Sequence, residues 1–128
     1  MHIVIVNQSG SPIYNQIKEQ IKEMILTGEL KEGEALPTIR QLAKDLRISV
    51  ITTARAYTEL EQEGFIATMQ GKGCFVKPQN SEMMREQYLR RVEAHLSDAV
   101  HDARLAGIDN DTLVQMFKLL IREDDGNA

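Results

Sequence analysis

Leu36-Pro37-Thr38-Ile39-Arg40-Gln41-Leu42-Ala43-Lys44-Asp45-Leu46-Arg47-Ile48-Ser49-Val50-Ile51-Thr52-Thr53-Ala54-Arg55-Ala56-Tyr57-Thr58-Glu59-Leu60 encodes two short helices in succession. Pro37 cannot continue a helix and Thr38 can cap a new one, after which Ile39, Leu42, Ala43 and Leu46 recur at i, i+3, i+4 and i+7. Arg47-Ile48-Ser49 is a short connection, and Ser49 is a second cap. Thr53, Ala56, Tyr57 and Leu60 then give a second buried stripe, which Gly64 ends. Two short helices joined by so brief a turn form a helix-turn-helix.

The flanking segments complete the unit. Ile3, Val4, Ile5 and Val6 are a β-branched run read as a brief strand. Ser11 offers an N-cap with Pro12 at the first helical position, and Ile13, Ile17, Ile21, Met24 and Ile25 line one helical face, with Gly28 as its stop and Gly33 marking a turn. On the other side, Phe65-Ile66-Ala67-Thr68 and Cys74-Phe75-Val76 read as two strands, with Gln70-Gly71-Lys72-Gly73 as the hairpin between them. Helix, helix, helix, hairpin is the order of a winged helix-turn-helix, expected over residues 1–77.

Pro78-Gln79-Asn80-Ser81 is a polar breaker, and residues 78–128 carry a different pattern. Residues 82–106 are expected to be helical, with Leu89, Val92, Leu96, Ala99 and Ala103 alternating steps of three and four as on a coiled-coil face. Gly107 ends that helix and Asp109 can cap a last one, whose apolar side is Leu113, Met116, Phe117, Leu120 and Ile121; residues 123–128 are expected to fray. The fold class is mainly α with a small β-hairpin: a winged helix-turn-helix followed by a short two-helix tail. The tail seam is expected to hold a dimer.

Composition narrows the function. The chain has 128 residues, one Cys and no Trp, and 15 Lys/Arg against 19 Asp/Glu, a net charge of −4. One Cys forbids an internal disulfide and suits a reducing compartment. Apolar runs are far too short to span a bilayer and the N-terminus lacks a secretory pattern, so a soluble, cytoplasmic protein without membrane contact is expected. The acidity lies in the tail: nine cations balance nine acids through residue 77, whereas six face ten beyond it. From 36 to 77 the count is six Lys/Arg to four Asp/Glu, with Glu59, Glu61 and Glu63 gathered at one end.

The motifs Ser11-Pro12-Ile13-Tyr14-Asn15-Gln16-Ile17, Ile25-Leu26-Thr27-Gly28-Glu29-Leu30-Lys31-Glu32-Gly33, Leu36-Pro37-Thr38-Ile39-Arg40-Gln41-Leu42-Ala43, Ala56-Tyr57-Thr58-Glu59-Leu60-Glu61 and Gln70-Gly71-Lys72-Gly73 resemble the DNA-binding domain of GntR-family transcriptional regulators. The short tail resembles the YtrA-like subfamily, in which a small helical region dimerises the protein and no large effector domain is present. The resemblance implies a homodimeric repressor on an inverted-repeat operator of double-stranded DNA, controlling a transport operon. It also implies that Arg40 contacts DNA and that the Gly71-Lys72 tip touches the minor groove.

Physical chemistry points to the same edge. A recognition helix starting at Ser49 can enter a major groove with its N-terminal residues at base edges. The expected DNA-binding residues are Arg40, Ser49, Val50, Thr52, Arg55, Gln70, Gly71 and Lys72. Many family members carry Arg at the positions of Val50 and Ala54, so apolar contact with a thymine methyl is the available substitute for bidentate Arg readout here. A small-molecule effector at the tail interface, or a winged module that binds protein instead of DNA, are the alternatives. Cations at both DNA-facing edges favour DNA.

Enzymatic chemistry, cofactors and metals are not expected. His2, His95 and His101 are scattered, and a six-residue step misses the spacing that puts two ligands on one helical face, so Asp98 with His101 or Asp102 makes at best a poor site. Cys74 has no CxxC partner and reads as a small strand residue, and Gly71-Lys72-Gly73 lacks P-loop spacing.

Overall fold

The computed structural model describes residues 1–126. Its elements are α1 (Ile13–Leu26), α2 (Ile39–Leu46), α3 (Val50–Gln62), β1 (Ile66–Met69), β2 (Gly73–Val76), α4 (Ser81–Leu105) and α5 (Asn110–Gly126). They fall into two compact units, Met1–Gln79 and Asn80–Ala128.

In the first unit α3 is the hub, packing against α1, α2 and β1. Ile17 and Ile21 of α1, Leu42 and Ala43 of α2, Thr53, Ala56, Tyr57 and Leu60 of α3, and Phe65, Ile66 and Val76 of the hairpin are buried together as its core. Burying one such aliphatic side chain contributes about 1.5–3 kcal/mol. Thr53 is the one buried polar side chain among the described residues, and its hydroxyl donates to the Ser49 carbonyl at 3.1 Å, so this donor is not orphaned.

The helix starts follow local chemistry. Thr38 Oγ1 accepts from the Gln41 N–H, and Ser49 Oγ accepts from the Thr52 N–H at 3.0 Å. At α1 the expectation shifts by one residue. Pro12, with ψ 148°, is itself the N-cap, its carbonyl accepting from the Asn15 and Gln16 N–H groups, while Ser11 Oγ accepts from the Asn15 side chain instead of capping.

The expected strand at residues 3–6 does not form. Val4 exchanges two hydrogen bonds with the side-chain amide of Gln20, and Val6 exchanges two with that of Gln16. Two glutamines four apart on α1 present donor and acceptor together, as a neighbouring strand would, so the segment docks on a helix and Ile3 is buried without a sheet.

The hairpin pairs Ile66 with Val76 through Met69 with Gly73. Residues 33–36 also run along β2: Gly33 N–H donates to Val76 O, Val76 N–H to Glu34 O, and Leu36 N–H to Cys74 O. Tyr57 Oη donates to the Pro37 carbonyl at 2.7 Å and fastens the same segment to α3.

In the second unit Asn80 Oδ1 caps α4 by accepting from the Met83 N–H. Asp109 Oδ1 accepts from the Thr112 N–H at 2.8 Å, which holds its carboxyl below the ordinary range. The fraying expected over residues 123–128 is not seen through Gly126; Arg, Glu and Asp do not break a helix, and propagation is cheap once it has formed. Asn127 and Ala128 lie outside the described residues. No helix among the described residues is long and apolar enough to cross a membrane.

Candidate nucleic-acid interface

The turn between α2 and α3 is made by Arg47, which sits in the left-handed region at φ 57°, ψ 47°. It is the one non-glycine residue at positive φ among those described. Such a conformation usually falls to glycine, because a Cβ there crowds the following carbonyl. Arg47 nevertheless closes α2 by donating its N–H to Ala43 O and Lys44 O, and its exposed side chain has no carboxylate partner among the described residues. Sequence reading passes over it, because no glycine marks the helix stop and Ile48 separates Arg47 from the Ser49 cap.

Arg40 is exposed on α2 and likewise without a described ion-pair partner, with Lys44 one turn on along the same face. Ser49 and Thr52 are coupled. Ser49 Oγ accepts the Thr52 N–H and donates its own proton to Thr52 Oγ1 at 2.8 Å, so the Thr52 hydroxyl keeps a free donor and Ser49 has none left. Val50 is 48% exposed and Ile51 83% exposed, whereas Ala54 is half-buried.

Arg55 is partly engaged. Its guanidinium stacks 3.7 Å from the centre of the Tyr14 ring, and its Nε donates to Glu59 at 3.2 Å. That fixes the group against α1 while its terminal nitrogens have no described partner. At the wing, Gln70, Gly71 and Lys72 are all exposed, with Gly71 at φ 78° and Gly73 at φ 93° providing the tight reversal. Lys72 N–H donates to Met69 O at 2.9 Å, so the cation is carried on a braced loop.

The acids at the far end of α3 do other work. Lys18 bridges Glu59 and Glu63 at 3.0 and 3.1 Å, and Lys22 reaches Glu63 at 3.1 Å while lying over the Phe65 ring. The hydrogen bond from Lys18 is the main reason that the Glu59 carboxyl lies below its ordinary pKa. Burial pushes Glu63 upward, but Lys18 and Lys22 together outweigh it and its pKa is lowered too. Lys18 is correspondingly raised, chiefly by Glu59. Glu61 accepts from the Thr68 N–H and hydroxyl on β1. All three glutamates are thus bonded to neighbouring elements, leaving Arg40, Lys44, Arg47, Lys72 and Lys77 as cations without a carboxylate partner among the described residues of this unit's second half.

In the second unit the expected seam lines an open apolar groove of about 630 Å³. Val92, Leu96 and Ala99 of α4 face Leu113, Met116, Phe117 and Leu120 of α5 across it. Ala103 is buried near the turn, and Leu89 is exposed outside the groove lining. No cluster of His, Cys, Asp and Glu fit to hold a metal occurs among the described residues.

Residues 13–76 match the family described as "Bacterial regulatory proteins, gntR family". The HTH-type transcriptional repressor YtrA of Bacillus subtilis (strain 168) is 34% identical to this chain, covering 91% of it and 89% of that protein. The solved structure of YtrA from Sulfolobus acidocaldarius, a GntR-family transcription factor, is 41% identical with a TM-score of 0.59, covering 72% of this chain and 97% of that one. AraR(DBD) in complex with operator ORX1 is 28% identical with a TM-score of 0.53, covering 59% of this chain and 98% of that one.

Proposed function

Because this chain belongs to the gntR family of bacterial regulatory proteins, we propose that it is a transcriptional repressor that binds an inverted-repeat operator in double-stranded DNA as a homodimer. The observation that carries the reading is a helix-turn-helix and wing whose groups without a described partner include cations and a free hydroxyl. Arg40 lies on α2, Arg47 in the turn that leads into α3, Thr52 in the first turn of α3, and Lys72 at the hairpin tip. The three glutamates of the α3 end are tied to Lys18, Lys22 and Thr68, and Asp45 of α2 accepts from the Gln41 side chain.

In this mechanism α3 enters the major groove by its N-terminal turn, and Arg40, Arg47, Arg55 and Lys72 hold phosphates and set register. Gln70 and Gly71 bring the wing backbone close to the minor groove. The apolar groove of the tail is the dimer surface: Val92, Leu96, Ala99, Leu113, Met116, Phe117 and Leu120 line it and are covered by a second copy, with exposed Leu89 extending the face, whereas Ala103 is already buried within its own chain. Pairing two DNA-binding units spaces the half-sites by a helical turn or a multiple of it, about 34 Å per turn. A repressor acting on the chromosome works in the cytoplasm.

Selection of bound DNA from a random duplex library tests this directly. The expected product is a two-fold symmetric site bound by two chains. Recovery of no enriched sequence would refute the reading.

A further inference from the structure

We propose that Ile51, with Val50 beside it, reads the C5-methyl group of a thymine in the major groove, making thymine the preferred base at one position of each half-site. This rests on the DNA-binding reading above and adds the residue and the base. The inner stripe of α3, Thr53, Ala56, Tyr57 and Leu60, is buried against its neighbours, whereas Ile51 in the first turn is 83% exposed and Val50 48%. Single exposed hydrophobics are ordinary on a surface. Two adjacent branched ones at the leading turn of the second helix of a helix-turn-helix stand where base edges are read.

The polar alternatives in that turn are limited. The Ser49 hydroxyl is spent on the cap and on Thr52, so Thr52 holds the one free side-chain donor there. Ala54, half-buried and with a single carbon, reaches less far than either neighbour. Of the four bases, thymine alone offers an apolar group in the major groove. A branched aliphatic side chain of this exposure can exclude water from that methyl, and it has no hydrogen-bonding group with which to satisfy a guanine or a cytosine edge.

The test uses the full chain and the operator recovered by selection. Each thymine is replaced in turn by deoxyuridine, which removes only the methyl. At one thymine per half-site the substitution should weaken binding about fourfold, the worth of one buried carbon group. Ile51→Ala, which alters an exposed side chain, should keep the wild-type thermal midpoint and bind the thymine and deoxyuridine sites equally. Indifference of the wild type to deoxyuridine at every position overturns the proposal. So does an Ile51→Ala protein that still prefers thymine at that position. A chain that enriches no DNA refutes the underlying function as well, whereas enrichment of a site insensitive to deoxyuridine refutes this inference alone.

Discussion

Lys72 projects from a hairpin tip between two glycines at positive φ, the only Lys or Arg between Arg55 and Lys77. Its place on the loop is set by the backbone, not by a carboxylate, so Lys72→Ala should leave folding unchanged. Deleting a cation that meets phosphate should weaken binding to all sequences alike and reduce the slope of log affinity against log salt by about one. Titrations across a salt series check this, and an unaltered slope would remove Lys72 from the interface. Arg47 poses a sharper question, because its left-handed backbone has a cost that glycine would not incur. Arg47→Gly should raise stability by about 1 kcal/mol, a net of relieved strain and added chain freedom. It should also lower the salt slope. Urea unfolding and the same titrations measure the two effects separately; greater stability with an intact slope would make Arg47 merely a favourable charge at a helix end.

At the scale of elements, α1 and α3 are held by both apolar packing and charge. Lys18 and Lys22 face Glu59 and Glu63, with the two carboxyls lowered and Lys18 raised. The lowered carboxyls bind fewer protons in the folded state than in the unfolded chain, so stability rises with pH through that window. Their contribution is complete above the ordinary value of 4.5 and is lost as pH falls through the folded values; that of Lys18 is complete below 10.5 and is lost as pH rises through its raised folded value. The thermal midpoint should therefore fall by several degrees from pH 5 toward pH 3, and Glu63→Gln should flatten the decline without changing the midpoint's behaviour above pH 10 as strongly as Lys18→Met. Equal slopes in wild type and Glu63→Gln would show that the pair adds nothing. This clamp also marks how far a sequence can be read. Thr38, Ser49, Gly64 and the stripe Thr53, Ala56, Tyr57, Leu60 are legible because caps and periodicity are local properties. The pairing of Glu59 with Lys18, of Val4 with Gln20 and of Leu36 with Cys74 joins residues remote in sequence, and nothing in the composition of either member announces the other. The same holds at the interface: Thr52 can be picked from its place near the cap, whereas the exposure of Ile51 and the left-handed turn at Arg47 depend on how the surrounding helices pack.

For the whole molecule, the two units differ in how they are stabilised. The first has a core of fully buried Ile, Leu and Tyr side chains, whereas in the second Ala103 is the one buried residue of α4 and none of α5 is buried. A helix of 25 residues, about 37 Å long, with Leu89, Val92, Leu96 and Val100 each over two-fifths exposed, has lost little apolar surface to its own chain. Isolated helices in water are marginal unless an apolar face is packed, so the tail's helices should depend on a second copy. On that reading folding and assembly of the tail should be linked, and its stability should depend on protein concentration. The net charge of −4 has a matching distribution, since the acidity lies on the unit proposed to meet a second copy and not on the unit proposed to meet phosphate. Leu96→Asp places a charge in the groove between α4 and α5, where Leu113, Met116, Phe117 and Leu120 offer it no partner. Sedimentation of this variant should show monomers, with reduced far-ultraviolet helicity and an intact first unit by proton chemical shifts. Its affinity for a single half-site should be preserved, while affinity for the symmetric site should drop by about two orders of magnitude as the second domain loses its tether. A Leu96→Asp protein that stays dimeric would remove the groove from the assembly, and a monomer that binds the full site as tightly as the wild type would show that the tail contributes nothing to operator affinity.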